Sequence, residues 1–143
     1  MNRLREAKGL NTIAFRPHCG EAGPLHHLAT GFLLADSINH GIMLDASPTL
    51  QYLYYLAQIG VAVSPLSNNA LFVKLEQSPF LRFFLRGLNV SLTTDDPLQF
   101  HTTQEPLVEE YTIARQFWNL NFTDLCEISS NSVKQSGFGH GRF

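Results

Sequence analysis

The chain has 143 residues, 44% of them hydrophobic and 15% charged. Its 10 Lys and Arg against 12 Asp and Glu leave a formal net charge of -2, so no basic excess exists to neutralise a nucleic-acid backbone. Low charge with 11% aromatic residues argues against disorder. The length suits about one domain, yet a complete (β/α)8 barrel needs roughly 250 residues.

The elements follow in order. Arg3 to Gly9 resembles the last turns of a helix, and Thr12-Ile13-Ala14-Phe15 reads as a short buried strand. Pro24 to Ala35 reads as a helix with Leu25, Leu28, Phe32 and Ala35 on one face. Ser37 to His40 is a weak strand. Ser47-Pro48 gives an N-cap with proline at the first helical position, and Gly60 ends that helix. Val61 to Ser64 is a third strand. Ser78-Pro79 starts a short helix closed by Gly87, and Leu88 to Leu92 is a fourth strand. Glu105-Pro106 opens a longer helix with Leu107, Tyr111, Ala114 and Trp118 in register. Thr123 caps a last helix ending near Gly137. Apolar strands centred near Ile13, Ile38, Ala62 and Val90, alternating with helices, imply a parallel sheet covered by helices.

Other signals are few. Cys19 and Cys126 supply neither a disulfide framework nor a Cys-x-x-Cys zinc site. The charged start lacks the apolar core of a signal peptide. The longest apolar stretch, Tyr52 to Val63, is broken by Gln58 and Gly60 and falls short of the ~18 residues of a membrane span. The default location is the cytosol, with no membrane and no nucleic-acid partner.

Polar residues gather after each strand. The first is followed by Arg16, His18 and Glu21, and the second by Asn39 and His40. Ser64, Ser67, Asn68 and Asn69 follow the third, and Thr93, Thr94, Asp95 and Asp96 the fourth. Loops are polar in general. However, active sites of parallel α/β folds lie at this edge, and paired aspartates directly after an apolar strand are costly without a partner. His18, His40 and Asp95 are donors that suit zinc if they converge. Glu21 can face the same pocket without ligating, and a metal, a free carboxyl group and a histidine describe a hydrolytic site.

The remaining candidates have blander readings. His26 and His27 read as surface or packing residues of a helix, and His101 and His140 as solvent-facing loop residues. Cys19 is adjacent to His18, but neighbours in an extended chain point apart, which argues against a nucleophilic pair. Cys126 reads as a buried helix residue. Tyr52, Tyr54, Tyr55, Phe83 and Phe84 read as core. Ser64 to Asn69 is either a ligand-contacting loop or a turn.

Three motifs carry a resemblance. His18-Cys19-Gly20-Glu21 resembles the His-x-Gly-Glu motif of adenosine and AMP deaminases, Ile38-Asn39-His40-Gly41 their His-Gly motif, and Thr93-Thr94-Asp95-Asp96-Pro97-Leu98 their paired-aspartate motif. The stretches Gln51 to Leu56, Ser64 to Asn69, Asp95 to Phe100 and Glu105 to Tyr111 favour AMP deaminase, and the likeness runs from about residue 10 to residue 138. It implies a zinc-dependent (β/α)8 amidohydrolase barrel that hydrolyses AMP to IMP and ammonia. By resemblance, His18 and Asp95 are zinc ligands. Glu21 protonates the purine ring nitrogen, His40 orients the water and takes its proton, Asp96 bonds the base and Gln99 contacts the nucleotide. The full-length enzyme is then expected to be a homo-oligomer in the cytoplasm.

The departures shape the expectation. The family's first strand supplies a His-x-His pair to the zinc, and this chain has none. Residues 1–143 are thus expected to be the C-terminal half of a barrel, with four strands, alternating helices and a terminal helix. Two family ligands fall short of the usual three, so weak zinc binding and no significant turnover are expected of the chain alone. Its outer strands, near Ile13 and Val90, are expected to be open edges that favour self-association. Adenosine deaminase and an inactive half-barrel that binds a partner are the alternative functions.

Overall fold

A computed structural model describes residues 1–137. The helices are α1 (Asn2–Ala7), α2 (His26–Leu34), α3 (Pro48–Ala57), α4 (Pro65–Leu71), α5 (Phe80–Leu85), α6 (Pro97–Phe100), α7 (Pro106–Trp118) and α8 (Phe122–Gln135). The strands are β1 (His18–Cys19), β2 (Ser37–His40), β3 (Gly60–Val63) and β4 (Val90–Leu92). They form one parallel sheet in the order β1-β2-β3-β4. Each strand is followed by helices, as alternation of apolar strands and capped helices dictates.

Strand alternation divides the sheet into two faces. Ile38, Val61, Val63, Val90 and Leu92 enter the core with Leu28, Leu44, Tyr54, Phe80, Phe83, Ala114 and Ile128. In register on the opposite face lie Asn39, Ala62 and Ser91. The cap signals work as read at α3, where Ser47 Oγ accepts from Leu50 N and Pro48 opens the helix. α8 is capped by Asn121 and not by Thr123. Asn121 and Asp124 form a reciprocal capping box.

The first strand departs from the expectation. Residues 12–15 are not in the sheet, and Ile13 and Phe15 are about half exposed. Their backbone groups are taken mostly by side chains: Ile13 bonds the Asn2 amide through both N–H and C=O, and Phe15 N donates to Asp36 Oδ2 at 2.6 Å, while Phe15 O accepts from Asp36 N at 2.9 Å. Pro17 has no N–H to give the ladder, so regular pairing begins at His18.

Other expectations are corrected. Ser64 to Asn69 is neither a loop nor a simple turn, because Pro65 opens α4 there. Cys126 is exposed, as are Tyr52, Tyr55 and Leu107, whereas Tyr54 and Phe83 are core. The buried stripe of α7 runs through Glu110 and Ala114. The His101 side chain is buried, in contact with Glu110. His26 and His27 are exposed as expected, and His140 lies outside the described residues.

Candidate metal and acid–base site

Four chain segments deliver the site to the C-terminal edge of the sheet. β1 brings His18, and Gly20 then turns the chain so that Glu21 returns toward the strand ends. Gly20 has φ +70, and a Cβ there would lie 2.6 Å from Leu28 Cδ2, so only glycine fits. β2 ends in His40, whose φ of 69 is left-handed and is followed by left-handed Gly41. Asp95, after β4, is also left-handed at φ 54. Left-handed backbone at non-glycine residues is costly and gathers at functional sites. α4, directly after β3, supplies Ser67 and Asn68.

The side chains converge. His40 Nε2 lies 3.1 Å from His18 Nδ1. Glu21 Oε1 lies 3.2 Å from His40 Nε2, and Glu21 Oε2 lies 3.6 Å from His18 Nδ1. One donor atom each from His18, His40 and Asp95 falls within 4.8 Å of the others. Ser67 Oγ donates to Asp95 Oδ2 at 2.6 Å, leaving Oδ1 free to bind. Two imidazoles and a carboxylate are a donor set that suits zinc, and two ring nitrogens 3.1 Å apart can both turn toward one cation. The residues present therefore fit a metal ion.

Burial differs across the cluster. His40 is 1% exposed, while the His18 side chain is 58% exposed. Burial holds the His40 imidazole below the usual histidine range, with the Glu21 carboxylate pulling the other way. That keeps a neutral ring available as ligand or base. The Asn68 amide nitrogen lies 2.9 Å from His40 Nδ1, and Asn68 Oδ1 is buried without a partner. The orientation of this amide sets which ring nitrogen carries the proton.

Asp96 and Gln99 are exposed, at the N-cap and within the single turn of α6, beyond the hydrogen-bonded cluster. Cys19 turns away from His18 and donates to the His27 carbonyl at 3.3 Å, and burial pushes its thiol up. It is no nucleophile. Sequence reading singled out Ser67 and Asn68 only as polar residues after a strand, without their roles. It missed Glu110, a charged residue on the buried stripe of α7 that no local spacing marks.

The family model described as AMP deaminase matches residues 1–142. The chain is 65% identical over 140 residues to a probable AMP deaminase of Oryza sativa, covering 98% of this chain and 17% of that protein. It therefore spans about a sixth of the length of such relatives. Among solved structures, an adenine deaminase from Arthrobacter aurescens superposes with a TM-score of 0.85 at 24% identity, over 99% of this chain and 42% of that one. A zinc-bound amidohydrolase from Burkholderia ambifaria gives 0.76 at 20% identity, over 94% and 38%. These structural likenesses concern the fold.

Proposed function

This chain belongs to the AMP deaminase family, and from that premise we propose that it carries the acid–base groups of a zinc-dependent site converting AMP to IMP and ammonia. The observation that carries the reading is the contact of Glu21 Oε1 with His40 Nε2 at 3.2 Å, beside His18 and Asp95. An acid and a base thus face one space next to a metal-binding donor set.

His18 and Asp95 would hold the zinc, with the remaining ligands from strands that residues 1–143, as the C-terminal half of a barrel, do not supply. Bound there, zinc would lower the pKa of a water so that it ionises near neutral pH. His40 orients the attacking water and accepts its proton. Glu21 gives a proton to the purine ring nitrogen beside the attacked carbon, so electrons displaced from the ring find a neutralised atom. Proton transfer to the amino group lets ammonia leave and the ring carbonyl form. Asp96 bonds the base, and Gln99 contacts the nucleotide from the exposed start of α6. The oligomeric state of the whole enzyme and its cytoplasmic location belong to the same proposal. No helix among the described residues is long and apolar enough to cross a membrane.

The test joins residues 1–143 to the preceding barrel segment of the Oryza relative and measures ammonia release. AMP turnover is expected, with Glu21→Gln lowering it about 10²-fold or more. Turnover of adenosine in preference to AMP would favour an adenosine deaminase. No turnover of either by a zinc-loaded, folded chimera would overturn the reading.

A further inference from the structure

We infer that Glu110 is a positioning residue: by anchoring the start of α4 it sets the hydrogen bonds that orient His40 and Asp95. The inference rests on the reading above, which makes His40 and Asp95 working groups. Its test below separates the two.

α4 is short, and its first N–H groups need partners. Pro65 has no N–H, and Ser64 makes no side-chain cap. Leu66 N–H instead donates to Glu110 Oε2 at 3.2 Å, across 44 residues of sequence. The other oxygen, Oε1, lies 2.8 Å from His101 Nε2, and both side chains are fully buried. A carboxylate is retained in such a place only where its oxygens are partnered. His101 follows α6, six residues after Asp95. Glu110 therefore ties the entry of α4 to the segment leaving Asp95.

The two residues after Leu66 make the site contacts. Ser67 Oγ bonds Asp95 Oδ2 at 2.6 Å, and the Asn68 amide meets His40 Nδ1 at 2.9 Å. Hydrogen bonds of this kind fix the tautomer and aim of metal-binding side chains. A displacement of α4 alters both contacts at once. Glu110 has no hydrogen bond to His40 or Asp95; it reaches His40 through α4, and Asp95 through α4 and the His101 segment.

The test uses the metal-free 143-residue chain. It reads the His40 imidazole by 15N NMR at fixed pH, with thermal melting measured in parallel. One His40 tautomer is expected in the unmodified chain and a mixture in Glu110→Gln, which keeps the side-chain volume. Leu66→Pro reaches the same link from the other end, because proline fits the first turn of a helix and removes the N–H. It should reproduce the Glu110→Gln pattern, while Leu66→Ala should not. In an Asn68→Ala background, Glu110→Gln should change the His40 signals no further. Folded Glu110→Gln and Leu66→Pro variants with unchanged His40 signals would overturn the inference, even if their melting fell. Co2+ titration separates the two readings. An unmodified chain that binds no Co2+ counts against the metal site, and the tautomer result still decides the role of Glu110. Where Co2+ binds, Glu110→Gln is expected to weaken it about tenfold.

Discussion

Asn131 Nδ2 donates to the Val90 carbonyl at 3.1 Å. Val90 begins β4, the last strand of the sheet, where an unpaired carbonyl would otherwise face outward. Gln135 binds elsewhere along this segment: its Nε2 reaches Asn89 O at 2.9 Å, which also accepts from Val61 N of β3, and its Oε1 accepts from Ser91 Oγ on the sheet face at 2.8 Å. Asn131 of α8 thus caps one carbonyl of an edge that the sequence suggested was open. At the other edge, β1 pairs only with β2 among the described residues, and Ile13 and Phe15 are exposed beside it.

Self-association is therefore expected through the β1 side. Ile13→Lys combined with Phe15→Lys should shift the chain toward monomer in size-exclusion chromatography. Asn131→Ala should promote association by uncovering β4. Identical elution of all three proteins would refute this assignment.

The donor set sets the metal affinity. His18, His40 and Asp95 are the cluster that the described residues offer, and His18 is open to water. The chain alone is expected to bind Zn2+ weakly and to release no measurable ammonia from AMP. Asp95→Ala should abolish residual binding in calorimetry, whereas His26→Ala should leave it unchanged. Stoichiometric zinc with turnover in the isolated chain would contradict the expectation.

Much of this site was legible because its chemistry is local. His18, Gly20 and Glu21 lie within one turn, and Asp95 directly follows an apolar strand, so spacing alone marks them. The strand edge in which they meet follows from the alternation of strands and helices. The support behind them was not legible. Glu110 sits in Glu109-Glu110-Tyr111, where only Tyr111 falls in the predicted helix register, and His101 reads as loop. The link from Glu110 to Leu66 depends on α7 packing across α4, a contact over 44 residues that no window of sequence contains. Residues 12–15 misled for the opposite reason: the apolar run is real, but its backbone partners are the Asn2 side chain and the side chain and N–H of Asp36.

Burial raises the Glu110 carboxyl above its ordinary range, despite the opposing Leu66 N–H and His101 contacts. A raised folded-state value means that the protonated form is favoured by folding. The associated stability is present below the ordinary glutamate range and is lost as pH rises through the raised value. Glu110→Gln removes this titration. The stability of the unmodified chain relative to Glu110→Gln should therefore decline as pH rises above the ordinary glutamate range, as read by urea midpoints across a pH series. A difference that grows in favour of the unmodified chain as pH rises would show that pairing, not burial, dominates at Glu110.

Packing near His18 gives a final handle on the site. A Cβ at Gly31 of α2 would lie 2.8 Å from Cys19 Sγ and 3.2 Å from the Tyr54 hydroxyl. Tyr54 is fully buried, and its hydroxyl donates to the Leu28 carbonyl at 2.9 Å, so it cannot retreat freely. Overpacking costs about 1–3 kcal/mol, against a helix-propensity gain of about 1 kcal/mol for Gly to Ala. Gly31→Ala should thus be destabilising by about 1 kcal/mol or somewhat more. Cys19 is the residue that must yield, and it adjoins His18, so the same variant should weaken Co2+ binding. Cys19→Ala removes the Sγ and should restore both stability and binding in the double variant. Strict additivity of the two substitutions in denaturation midpoints would show that Cys19 and Gly31 do not share this contact.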